Sequence, residues 1–315
     1  MGGGTPAGSD EPWRPGTIIR MPIPRIIARP YGGTNPELNR REYLLARVMQ
    51  TPLHQIARNV DTDSDTVDGA LAYFDPTRRS VTGPAFQKQV NHFLGLTFHQ
   101  GIQNAQSQLS THHQERIRKR FAAPQTLMQR IAPFTPILPA LIPQQRSAWS
   151  NIIDALTQHV VDHWDRIADD LKDRLTSSLQ EGYSMGEVPT DLADRVQALL
   201  NIDMNSANRI SRTMTMETYN QAHIIQYKQS GVPGIRWMAT PDERECDICA
   251  DLDGTVWSLD DPDLMYPPAH EFCRCTVVSV VDENDIPDES PDINEDTRAF
   301  YDAFDKRFDV PLYAE

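Results

Sequence analysis

The chain has 315 residues, 39% of them hydrophobic, with a mean hydropathy of −0.51; such a length predicts about two domains, and such polarity predicts extended or disordered stretches beside the core. No apolar run nears the ~18 residues of a membrane span, and the first residues lack the basic-then-apolar layout of a secretory signal, so the expectation is an intracellular protein with no membrane span. The formal charge of −14 argues against nucleic-acid binding over the whole surface, and it is concentrated, with 22 acidic and 6 basic residues in 236–315 and a nearly neutral remainder.

Residues 1–35 read as an arm. Pro6, Pro12, Pro15, Pro22, Pro24 and Pro30 forbid helix, while Ile18, Ile19, Ile23, Ile26 and Ile27 alternate with arginines. Those isoleucines serve either docking on another protein or folding over the chain's own body. A helix is predicted from Asn35-Pro36 to about Val60, with Tyr43, Leu44, Val48, Leu53 and Ile56 as its apolar face. Asp61–Gly69 is a polar loop. Its alternating aspartates invite a calcium reading, but Thr66 and Ala72 stand where an EF-hand needs glycine and glutamate.

A second helical stretch runs over 84–121 and ends in the basic run Arg116–Arg120, read as a solvated face. Prolines at 124, 133, 136, 139 and 143 mark an internal boundary. Beyond it, Trp149, Ile152, Leu156, Val160, Trp164, Ile167, Leu171, Leu175 and Leu179 advance by three or four residues, an apolar stripe that predicts one long bundle helix stopping at Glu181-Gly182. A shorter helix is expected from Val188-Pro189 to about Leu200, and another from about Ser206 to Ser230. None carries a paired acid and base, a phosphate loop or a nucleophile elbow. The histidines before His270 show no ligand spacing tied to cysteines.

All four cysteines fall in one short segment: Cys246-Asp-Ile-Cys249, then His270-Glu-Phe-Cys273-Arg-Cys275. A C-x-x-C turn presents two thiolates from one tight loop, and the second block offers a further pair, which is the spacing of a tetrahedral zinc site. Five candidates compete for four places: a four-cysteine site and a site of His270 with three cysteines both fit. A strand after Pro268 would put Cys273 and Cys275 on one face. Disulfides need an oxidising compartment, and a thioredoxin-type C-x-x-C wants a helix after it where Asp251-Leu-Asp-Gly254 stands. Catalytic zinc would need an open position and a base, for which only Glu271 is adjacent. Ile235–Ala239, Thr255–Trp257 and Thr276–Val281 read as short strands, giving a small sheet pinned by zinc.

These residues resemble the phage Mu F-like head-morphogenesis domain. The likeness rests on Trp237, the Asp242-Glu243 approach to Cys246 and Cys249, Asp253-Gly254 and the block Pro267-Pro268-x-His270-x-x-Cys273-Arg274-Cys275. Upstream, Leu179-x-x-Gly182-Tyr-Ser and Arg209-Ile-Ser-Arg212-Thr213, followed by Tyr219-Asn220 and Tyr227, are similar to the family's helical part. Residue 271 is glutamate where the family commonly has proline. The likeness covers about residues 148–281. It implies a minor head protein without enzymatic activity of its own, near or on the portal vertex.

The expectation is therefore an α+β protein: a mainly helical body, a small zinc-pinned β module and extended, partly disordered termini. Its parts are an arm (1–35), an N-terminal helical region (36–147), the Mu F-like domain (148–281, with the zinc module at 235–281) and an acidic tail with a short terminal helix (282–315). Expected partners are the portal or major capsid protein, with packaged DNA a further contact. The expected place is the virion, in the head interior or at the portal vertex, after assembly in the host cytoplasm. The alternatives are a zinc-dependent nuclease, opposed by the lack of histidine after His270, and a zinc-ribbon nucleic-acid binder, opposed by the module's acidity. In the tail, self-repulsion of eight acidic residues is expected to keep 282–296 disordered. Phe300, Phe304 and Phe308 would share one helix face, tethered as a docking peptide or packed on the chain's own body.

Overall fold

The computed structural model describes residues 36–121 and 143–305, with side chains over 36–111 and 149–304. The arm, the proline-broken boundary over 124–142, the basic side chains of 116–120 and Phe308 lie outside the described residues. In chain order come α1 (Pro36–Arg58), α2 (Val67–Ala70), α3 (Phe74–Val81), α4 (Pro84–Phe121), α5 (Pro143–Met185) and α6 (Pro189–Gln229). Then follow β1 (Gly234–Met238), α7 (Asp247–Leu252), β2 (Val256–Ser258), β3 (Thr276–Val280), a 3-10 turn (Glu283–Asp285) and α8 (Glu295–Asp305). Among the described residues no helix is long and apolar enough to cross a membrane.

Two hydrophobic cores share one axis. The larger joins α1, α4, α5 and α6 as far as Ile225, and the smaller joins Ile224 and Tyr227 of α6 to the sheet and the cysteine loops. In α1 the buried stripe is Leu45, Met49, Leu53 and Ile56, spaced by three or four residues. Tyr43 lies off that face, at its exposed edge, so the predicted face was rotated by about one residue. The long stripe of α5 is as predicted, with Leu156, Val160, Trp164, Leu171, Leu175 and Leu179 all buried. Trp164 keeps its indole polar end satisfied by donating to the Met49 carbonyl at 2.9 Å. The helix continues past Gly182 to Met185, and the backbone reverses at Gly186, whose φ of 72° suits a residue without Cβ.

The two helices predicted between Val188 and Ser230 are one. The polar stretch Asn201–Asn205, which reads as a break, is carried through because Asp203 pairs with Arg174 of α5 and Gln50 of α1 donates to Asn208 at 2.7 Å. Burial pushes the Asp203 carboxyl up while the Arg174 guanidinium pulls it back down, with burial the larger effect. Farther along, Ser211, Thr213, Thr215 and Thr218 are buried although polar. Each satisfies its hydroxyl by donating to a carbonyl four residues back, at 2.7–2.9 Å. Gly101 lets α4 touch α6 closely, since a Cβ there would meet the Ala222 methyl and the Tyr219 carbonyl at 2.6 Å.

The sheet has strand order β2-β1-β3, antiparallel throughout, with Ile235 opposite Trp257 on one side and Ser279 on the other. All three predicted β runs are present. Ile235, Trp237, Trp257 and Val277 point into the smaller core. This is the α+β architecture expected from sequence.

One expectation about the tail is corrected, and one open alternative is decided. Residues 282–294 lie against the module rather than apart from it: Ser290 donates to Asp261 at 2.7 Å, and Ile293 packs on the smaller core. Apolar anchors between the acidic residues hold this segment while most of its carboxylates are exposed. Likewise α8 is not a free docking peptide, because Tyr301 and Phe304 are buried on the chain's own body. The Tyr301 hydroxyl accepts from Tyr266 N and donates to Tyr266 O, both at 3.1 Å, and Arg298 sits over the Trp257 ring at 5.6 Å.

Candidate metal centre

The five predicted residues converge. Cys246 ends the loop after β1 and caps α7: its Sγ accepts from the Cys249 amide at 3.4 Å, so the C-x-x-C turn folds both thiols to one side. The short helix α7 begins inside this motif and contradicts the expectation of none after it. The second block reaches the same place from the loop before β3. Cys273 and Cys275 face the cluster, but not through strand alternation, because β3 starts only at Thr276. Phe272, with φ of 62°, turns the chain instead, and the Pro267–Pro268 peptide upstream is cis.

His270 Nε2 lies 3.3 Å from Cys246 Sγ and 3.0 Å from Cys249 Sγ, and Cys249 Sγ lies 3.8 Å from Cys273 Sγ. Two triads of donor atoms result, Cys246–Cys249–His270 and Cys249–Cys273–Cys275, with Cys249 in both. A zinc tetrahedron with Zn–S bonds of about 2.3 Å has S–S edges of about 3.8 Å, so the thiol spacing suits a shared ion. All four cysteines are free, and Cys249, Cys273 and Cys275 are buried. The groups are positioned to hold a metal ion. His270 Nδ1 meets the Glu271 carbonyl at 2.7 Å, which fixes the ring and leaves Nε2 toward the thiols.

Electrostatics describes the same cluster. Burial disfavours a Cys273 thiolate, but hydrogen bonds from Cys249, Cys275 and His270 outweigh it and bring the thiol well below its ordinary value. Burial lowers His270, while its contact with Cys273 raises it further, to about 9. Cys249 is pushed up by Cys273 and Cys275 and by its burial. The cluster thus favours one thiolate beside an imidazolium, and a bound cation would take the place of those protons.

A second set of contacts ties the two cysteine blocks together. Arg274, between two of the thiols, pairs with Asp242, four residues before Cys246, its second nitrogen at 2.5 Å. Asn220 of α6 donates to the Cys275 carbonyl at 3.2 Å. Glu271, the one adjacent candidate base, is turned outward and paired with Arg209 at 3.0 Å. Sequence reasoning named the five residues that the fold brings together. It placed Asn220 only within the helical likeness, because its contact with the Cys275 carbonyl lies 55 positions away and leaves no local signal.

The fold and site define a helical-bundle protein that carries a cysteine–histidine module able to hold a metal. The family described as Phage Mu protein F like protein matches residues 169–278, from within α5 into β3, so this stretch of the chain is similar to that family. An uncharacterized protein of Haemophilus influenzae is 24% identical over 135 residues, which are 42% of this chain and 30% of that relative. The shared stretch thus spans less than a third of the relative's length. No solved structure matches.

Proposed function

We propose that the protein is a minor head component that acts in phage head morphogenesis at or near the portal vertex, with a zinc-pinned module of structural purpose. The observation that carries this reading is the extent of the phage Mu F-like match, which takes in the cysteine module together with the helix that supports it. Zinc is favoured among metals by the donor set, three or four thiols with one imidazole and no oxygen ligand. Cys246, Cys249, His270, Cys273 and Cys275 supply enough donors to close a four-coordinate site, as structural sites do, leaving no position for substrate. Glu271 is occupied by Arg209, which further favours a structural ion over a catalytic one.

The experiment is mass spectrometry of purified particles with cryo-electron microscopy of the portal vertex. The expected result is this chain in few copies at that vertex. Its presence in proheads but not in mature particles would make it an assembly factor, and its absence from both would overturn the reading. Whether portal, major capsid protein or packaged DNA contacts it would be read from the same maps.

A further inference from the structure

The loop that carries His270 and Cys273 is gripped by three residues on one face of α6. Arg209, Arg212 and Thr213 stand at i, i+3 and i+4 and therefore point the same way. Arg209 Nη1 meets Glu271 Oε2 at 3.0 Å. The Arg212 guanidinium lies over the Phe272 ring, 5.2 Å from its centroid. Thr213 Oγ1 donates to the Arg209 carbonyl at 2.9 Å and accepts from the Phe272 amide at 3.2 Å. The two residues so held are the ones between His270 and Cys273. Phe272 is also the described non-glycine residue with positive φ, a conformation that its surroundings must impose.

We propose that Arg209, Arg212 and Thr213 are positioning residues for the metal centre. They act through Glu271 and Phe272 to hold His270 and Cys273 at ligand distance, so the helical body sets the geometry of the site. Arg212 extends the grip to α1, since its Nε meets Glu42 Oε1 at 3.0 Å. This inference rests on the metal reading above.

The test uses the full chain loaded with zinc and two readouts: the rate of zinc release to a chromogenic chelator, and amide hydrogen exchange over 270–275. Thr213→Val removes the hydroxyl and keeps the side-chain volume, leaving the Phe272 amide without its acceptor. It should speed zinc release about tenfold, the lower end of what outer-shell changes do to metal affinity, and raise exchange at Phe272. Thr213→Ser should restore both. Arg209→Gln should move both in the same direction by less. Arg212 is tested as Glu42→Gln with Arg212→Gln, because removing the arginine alone would strand a buried carboxylate. Wild-type release and exchange in Thr213→Val and in the paired variant would overturn the proposal. If the wild type binds no zinc, the metal reading falls, and unchanged exchange at Phe272 would then overturn the grip as well.

Discussion

Asp242 shows how much a single carboxylate does in this module. Its hydrogen bonds from the Arg274 side chain and the Arg244 amide hold the carboxyl well below its ordinary value. A carboxyl lowered in the folded state contributes stability that is present above its unfolded-state pKa near 4 and is lost as pH falls through the folded value. Asp242→Asn should therefore weaken the module at neutral pH and flatten its acid unfolding below about pH 4, as followed by tryptophan fluorescence of Trp237 and Trp257. Among the donors, Cys249 belongs to both triads. Cys249→Ser should empty the site by metal analysis while the circular dichroism of the body persists; full zinc content in that variant would remove Cys249 from the ligand set. Single serine variants of Cys246 and Cys275 then decide between the four-cysteine and the histidine-containing site. The donors were legible because thiols in pairs have a chemistry that few other arrangements share. Thr213 was legible as part of the Arg209–Thr213 likeness but its role was not, since nothing local shows that its hydroxyl serves a loop 59 positions away.

The helices divide by the range of the interactions that shape them. The stripe of α5 is a local pattern, repeated over many turns, and it survives intact in the structure. Leu171→Ala, at a side chain only 1% exposed, should cost about 2–5 kcal/mol and lower the melting temperature of the helical body. The continuity of α6 was hidden because Asp203 looks like a break until Arg174, 29 positions earlier, neutralises it. For the same reason α8 was legible as an amphipathic helix but not as a packed one: its cover is Tyr266 and Trp257, which no periodicity points to. Tyr301→Phe removes both hydrogen bonds to Tyr266 while keeping the ring, so it should cost about 1–2 kcal/mol in urea unfolding of the module. Wild-type stability would show that the ring alone seats the helix.

At the scale of the molecule, the sequence divides more cleanly than the structure does. Composition and cysteine spacing suggest a zinc module beginning at residue 235, yet the smaller core also contains Ala105 of α4 and Ile224 and Tyr227 of α6. The Tyr227 hydroxyl donates to Gln108, and Asn104 donates to Tyr219 at 2.6 Å, so the same helices serve both cores. Long-range packing of this kind leaves no trace in spacing or charge, which explains why the module's cysteines and strands could be read in advance but not its helical support.

The shared helix α6 has a consequence for how this protein could be divided or transplanted. Its 41 residues span roughly 60 Å at 1.5 Å per residue, lending one end to the bundle and the other to the cysteine module. A polypeptide beginning at Gly231 would carry every donor thiol and the whole sheet, but it would lack Asn220, Ile224 and Tyr227 and expose the underside of Ile235 and Trp237. The module is therefore not a portable cassette in the manner of small zinc fingers. A graft onto another protein would have to bring the second half of α6 and the turns of α4 around Gly101–Leu109, and an exchange of the cysteine segment alone would join surfaces never fitted to one another.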